Sequence, residues 1–330
     1  MSGKYWNKAW SLVDGCTPVS AGCENCWSKA MAERFHRWPE KVTPRWDRLE
    51  IPRKVKKSTV WAVWNDLFHE DVPADLIHRA LYVMMNCPQH TFLVLTKRAK
   101  RMYEWFNPPY PPKTARIWKW PLDNLWLGVT AENQEMADKR IPILLQIPAA
   151  KRFVSIEPML GPVDLGISQC TCPWPIDAAR TRHLLDCPAD IRRPESPYKK
   201  WLVDWIVQGG ETGPNVRPMH PDWVKGLRDQ CQAAGVPFWF KQWGEWLPIS
   251  QIPKGSLVKS KKSISMHSDG EISGKLRKIK NTNLSVGGEF IYRVGRKKAG
   301  RLLDGREWNE RPETGEQRVF KRKVNKIEER

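Results

Sequence analysis

The chain has 330 residues, 41% of them apolar, and carries a net charge of +19 at neutral pH, with a pI near 9.7. It is too long for one small domain and has the apolar material for a large core. No apolar run is long enough to span a membrane, and Met1–Trp6 lacks the apolar segment of a secretory signal, so a cytoplasmic chain is expected. The excess charge calls for a phosphate-rich partner, with a merely soluble basic surface as the plainer alternative.

Seven short apolar runs recur, at Trp10–Val13, Val60–Trp64, Thr91–Leu95, Leu125–Val129, Arg152–Ile156, Trp205–Val207 and Pro237–Phe240. Helical periodicity fills intervening segments, as at Leu76–Met85, Met136–Leu145 and Pro221–Ala234. Strand and helix in alternation predict a parallel α/β sheet, and the count predicts a partial or complete (β/α) barrel over residues 1–250. Near-continuous apolar strands match burial on both faces.

After the first run come Cys16, Cys23 and Cys26, with Gly15 and Gly22 ahead of the first two. Three thiolates leave one iron of a four-iron cluster open to a ligand such as the amino and carboxylate groups of S-adenosylmethionine. Structural zinc completed by a distant histidine is the alternative for the same residues. Cys87 and Cys231 stand alone and read as buried thiols.

The later runs end in polar residues. Asn65, Asp66, His69 and Glu70 follow the second; Lys97 and Arg98 the third; Glu132 and Asn133 the fourth; Glu157 the fifth; Gly209, Gly210 and Glu211 the sixth; Lys241 the seventh. Chemistry in such folds gathers at the carboxyl ends of the strands. Asp66, His69, Glu132 and Glu157 are the candidates for positioning a substrate or moving protons. Lys97, Arg98 and Lys241 are the candidates for holding phosphate. The glycine pair would admit a ligand to the backbone, and Glu211 would receive an ammonium group.

Two regions break the alternation. Residues 168–200 are proline-rich and carry Cys170, Cys172, His183 and Cys187, a set that matches tetrahedral zinc in an inserted segment. Residues 251–330 hold 21 Lys/Arg against 10 Asp/Glu, which is +11 of the total, and form a basic extension with a strand-like Phe290–Val294.

Several segments together resemble a phage-encoded three-Cys-motif family of uncharacterised proteins. They are Gly15-Cys16-x6-Cys23-x2-Cys26, Asn65–Pro73, Phe92–Arg98, Leu127–Asn133, Ser155–Pro162, Gly209–Gly213, Arg217–Pro221 and Phe240–Gly244. That family is similar to radical S-adenosylmethionine proteins in its cysteine motif and presumed barrel. The resemblance implies a [4Fe-4S] cluster on Cys16, Cys23 and Cys26, with S-adenosylmethionine contacted by Glu211. The first gap is six residues here where the usual radical-enzyme spacing is three. The expectation is an enzyme, working in a bacterial host cell, that modifies a base of DNA or RNA. The rivals are a non-catalytic zinc protein that binds nucleic acid, and a radical enzyme acting on a peptide or small metabolite.

Overall fold

The computed structural model describes residues 3–36, 39–107, 120–166, 203–252, 260, 262–276 and 288–313. The sheet that organises them has seven strands, all parallel: β1 (Lys8–Ala9), β4 (Val60–Val63), β5 (Thr91–Thr96), β6 (Leu125–Thr130), β7 (Lys151–Ile156), β8 (Trp205–Gly209) and β9 (Phe238–Gln242). Their order in space is their order in the chain. Every crossover therefore steps in one direction, with no point where the winding reverses. The sheet curls into a half-barrel with helices around it.

Alternation along the strands explains the curl. Leu93, Trp126, Phe153, Trp205, Val207 and Trp239 point to the inner face and pack together with Tyr5. Phe92, Val94, Leu127, Val154, Ile206, Phe238 and Phe240 point outward into the core beneath the helices. Both faces are thus apolar, which is why the strands read as continuous runs. On the inner side Tyr5 lies 5.2 Å from Trp205 and 6.1 Å from Trp239, ring to ring. The Trp239 indole N–H donates to the Gly3 carbonyl at 3.1 Å. The segment before the first strand therefore spans across to the last. Gly3 allows this, since a Cβ there would lie 2.1 Å from the Lys241 carbonyl oxygen.

The helices begin and end where their sequences dictate. α2 (Ala74–Met85) buries Leu76, Ile77, Ala80, Leu81, Val83 and Met84. α4 (Gln134–Leu145) is capped by the Asn133 side chain, which accepts from the Met136 amide at 3.0 Å. α5 (Pro221–Ala234) has proline at its first position and closes on Gly235 at φ +64°, where glycine adopts the left-handed cap without strain. The shorter α1 (Trp27–Arg34) and α3 (Ala99–Phe106) follow Cys26 and Arg98.

One expectation changes. The first strand of the sheet is Lys8–Ala9, not Trp10–Val13; Trp10, Leu12 and Val13 are buried, but they line the outer core. Val13–Asp14 (β2) pairs instead with Thr43–Pro44 (β3). The apolar run marked burial rather than the sheet ladder. The basic extension after residue 250 packs on the half-barrel. Its strands β11 (Ser263–Met266), β12 (Ile272–Leu276) and β13 (Glu289–Arg293) join β10 (Trp246–Pro248), just ahead of it, in an antiparallel sheet in the order β10-β13-β11-β12. Ile264, Met266, Ile291, Leu303 and Trp308 join the main core. The Phe240 amide donates to the Trp308 carbonyl at 3.0 Å and the Glu310 amide to the Phe238 carbonyl at 3.2 Å, so the chain returns to cover the edge of β9. A four-residue helix, α6 (Arg296–Ala299), follows β13.

Inner-face packing sets a stability test. A Cβ on Gly128 would sit 2.5 Å from the Phe153 ring, whereas one on Gly226, within α5, meets nothing inside 4 Å. Gly128→Ala should lower the unfolding free energy by about 1–3 kcal/mol, the range of overpacked cores. Gly226→Ala should raise it by about 0.5–1 kcal/mol, because alanine replaces glycine inside a helix. Urea unfolding followed by circular dichroism checks both signs.

Candidate functional site at the carboxyl rim

The loop carrying the three cysteines lies over the carboxyl ends of the strands and is tied there at three places. The first is Arg98, 6% exposed. Its guanidinium donates to Asp66 Oδ2 at 2.8 Å, to Glu70 Oε2 at 2.6 Å, to Thr17 Oγ1 at 2.8 Å and to the Thr17 carbonyl at 3.2 Å. One further N–H faces the Cys16 sulfur at 3.6 Å. Thr96 donates to the other Asp66 oxygen at 2.5 Å and accepts from the Arg98 amide at 2.8 Å.

His69 completes this corner. The Asp71 amide donates to its Nδ1 at 3.1 Å, the Thr17 amide approaches Nε2 at 3.4 Å, and Thr17 Oγ1 shares a hydrogen bond with Nε2 at 2.8 Å. Burial, with Arg98 adding to it, holds the imidazole below its ordinary pKa. Burial and Asp66 push the Cys16 thiol up, outweighing Arg98, and Cys23 is near enough to add a smaller push.

The second tie is Glu132, fully buried at the end of β6. One oxygen accepts from the Gly22 amide at 3.2 Å, the other from Arg140 of α4 at 2.9 Å. Burial works to raise this carboxyl, but its hydrogen bonds and the Arg140 charge outweigh it and hold the group below the ordinary value. The third tie is Glu211, 7% exposed after β8. It accepts from Asn25 at 3.1 Å, from the Arg217 amide at 2.7 Å and from the Arg217 guanidinium. Arg217 also reaches Glu24 at 2.9 Å and the Ala21 carbonyl at 2.9 Å.

Inside the half-barrel, the Lys241 ammonium lies 2.7 and 2.9 Å from the two Glu157 oxygens. Both side chains remain partly exposed, at 27% and 19%. Gly209 makes room for them: a Cβ there would stand 3.2 Å from Glu157 Oε1 and 3.4 Å from Lys241 Cβ. Gly210 serves a different need, because a Cβ on it would lie 2.3 Å from the Trp243 carbonyl oxygen. That glycine permits the close passage of another stretch of chain. Tyr5 lies below the ion pair, bonded to Ser155, and burial followed by the Glu157 charge raises its phenol well above the ordinary value.

Asp66, His69, Glu132, Glu211, Arg98 and the cysteine loop therefore share one rim, and Glu157, Lys241 and Gly209 line the inner wall beside it. Arg98 and Glu211 each engage several protein partners and so tie down the loop. Lys97 is half-buried on β5's inner-facing register. Thr17, Asn25, Thr96, Arg140, Arg217 and Tyr5 belong to the site and were not singled out by sequence. Arg140 had a signal, a charge on the apolar stripe Met136, Ala137, Leu144 of its helix. Cys16, Cys23 and Cys26 are half-buried free thiols. Among the described residues, no group of three or more His, Cys, Asp or Glu side chains is arranged to hold a metal. Cys170, Cys172, His183 and Cys187 lie outside the described residues. No helix among the described residues is long and apolar enough to cross a membrane.

A family model described as a protein of unknown function, DUF5131, matches residues 2–312, and the chain belongs to that family. No curated protein and no solved structure matches the chain.

Two outcomes follow from the first tie. Arg98→Met strands the buried Asp66 carboxylate and should cost about 3–5 kcal/mol, the range for half of a broken buried pair. Hydrogen exchange should quicken at Cys16 and Thr17 before it does in β6. His69 has a lowered folded pKa, so its contribution is present above about pH 6.5 and is lost as pH falls and the unfolded state takes up the proton. His69→Gln should therefore flatten the loss of stability between about pH 6.5 and 5, measured as the urea midpoint against pH.

Proposed function

We propose that this member of the DUF5131 family is an iron–sulfur enzyme of the radical S-adenosylmethionine type that acts on a nucleic-acid base. The observation that carries the reading is the position of the three-cysteine loop, pinned by Arg98, Glu132 and Glu211 over the carboxyl rim of a parallel half-barrel. The donor chemistry fits. Three soft thiols fall within eleven residues, none is tied up in a disulfide, and Cys16 and Cys23 lie within electrostatic reach of each other. Cys16, Cys23 and Cys26 would hold the cluster and leave one iron for the cofactor. When bound, the group supplies one-electron reduction of a sulfonium and with it radical chemistry.

The remaining work falls to this chain's own residues. The three carboxylate–arginine pairs fix the loop, with the Arg217 side chain remaining partly exposed. The Glu157–Lys241 pair and Lys97 are the ionisable groups left partly open on the inner wall, and they would orient the base, one as acceptor and two as donors. The aromatic floor of Tyr5, Trp64, Trp205 and Trp239 keeps water from beneath them. The net charge of +19 supports a polyanionic substrate. In the same reading Cys170, Cys172, His183 and Cys187 take a separate zinc ion.

The test is anaerobic purification with iron and sulfide analysis. About four of each per chain are expected, the content of one [4Fe-4S] cluster. Cys16→Ala, Cys23→Ala and Cys26→Ala should each remove the iron and leave zinc in place. The loaded protein, given S-adenosylmethionine, a reductant and oligonucleotides, should produce a base of altered mass. Iron-free protein with all three thiols intact after reconstitution would defeat the reading.

A further inference from the structure

A second surface is aromatic and basic and is not used by the proposed reaction. It surrounds the chain entering β4. Trp46, Ile51 and Tyr82 are 44%, 38% and 49% exposed. The Arg79 guanidinium lies over the Trp46 ring at 5.9 Å, and the Arg53 guanidinium over the Tyr82 ring at 5.4 Å. Arg79 and Tyr82 are three residues apart on α2, so the two ring–guanidinium pairs are neighbours on one helix face. Lys54, Lys56 and Lys57 follow Arg53 directly, and all are exposed.

The basic end of this surface is at the amino ends of the strands, while Trp46 at its other end follows β3, which pairs with Val13–Asp14 just ahead of the cysteine loop. Lys57 stands three residues before β4, and the His90 ring bonds the Pro52 carbonyl at 3.0 Å just ahead of β5. Acidic groups there are already matched: Asp75 binds Arg79 at 2.8 Å, Glu50 binds Arg53 at 3.1 Å and Asp47 binds Arg45 at 2.9 Å. Among the described residues no carboxylate pairs with Lys54, Lys56 or Lys57.

We infer that this face binds single-stranded nucleic acid, the track running from the amino ends of the strands toward the cysteine loop; the inference rests on the nucleic-acid part of the proposed function. A ring backed by a guanidinium offers its open side to a base, and the guanidinium also serves the neighbouring phosphate. The three lysines continue the phosphate track. Stacking on two rings fits any sequence. A lipid surface is a poorer occupant, because the apolar stripe of α2 is wholly turned into the core and leaves no amphipathic face to insert.

Fluorescence anisotropy of the full chain with labelled dT20 and U20, across a salt series, tests this. Lys54→Glu/Lys56→Glu/Lys57→Glu should weaken binding and reduce the log–log salt slope by about 2, at about 0.7 per lost phosphate contact. Trp46→Ala/Tyr82→Ala should weaken binding about tenfold with the slope unchanged, since stacking is not ionic. All five side chains are exposed, so thermal melting should report intact folds. Unchanged affinity and slope in both variants overturns the inference. Wild-type protein that binds phosphatidylserine vesicles but neither oligonucleotide also overturns it. Iron content on the same samples separates the two readings: a cluster without oligonucleotide binding leaves the cluster standing and removes this surface. Ring- and lysine-dependent binding without iron does the reverse.

Discussion

The buried guanidinium of Arg98 is the constraint on which the rim depends. It stands where β5 ends, and it satisfies Asp66 and Glu70 from the segment after β4 while donating twice to Thr17. A charge so placed is costly to desolvate, and the Coulomb gain from its partners repays little beyond that cost. Its effect is on arrangement. Each alternative placing of the cysteine loop leaves a buried N–H or a buried carboxylate oxygen unmatched, so the loop has one satisfactory position.

The same device recurs around the mouth. Asp66 with Arg98, Glu132 with Arg140 and Glu211 with Arg217 are three acid–arginine pairs, each drawn from successive parts of the half-barrel and each turning spare hydrogen-bonding capacity toward residues 16–25. Since every pair is neutral, the three pairs add no net charge to the rim. The positive charge of the chain has to be expressed elsewhere, and the surface around Arg53–Lys57 is one such place.

Much of the architecture is legible in the sequence. Apolar runs bounded by turn residues locate six of the seven strands, because strands buried on both faces must be apolar throughout. α2, α4 and α5 announce themselves by their stripes and caps. The exception at Trp10–Val13 arises because apolarity reports burial and not ladder pairing. Polar strand ends identify Asp66, His69, Glu132, Glu157 and Glu211 as neighbours of one rim, but not what each does there. Whether a carboxylate meets solvent or an arginine eight or thirty residues away is set by helix phase and loop path, which leave no local pattern. Arg217 and Asn25 illustrate this: 192 positions apart, they meet on one carboxylate. Gly210 shows the complementary lesson, since a glycine pair reads as room for a ligand when one member makes room for Trp243.

The two ends of the curled sheet are bound to distant parts of the chain. Gly3 and Tyr5 rest against β9, and residues 308–310 cover the same strand from the other side. During synthesis β9 therefore emerges with one flank awaiting a stretch nearly seventy residues further on. Until then its open edge is a hazard for pairing with other nascent strands, and the ribosome sets how long that exposure lasts. Rare codons or pauses between residues 242 and 310 would lengthen it, so solubility on overexpression should depend on translation speed in that interval more than in any earlier one.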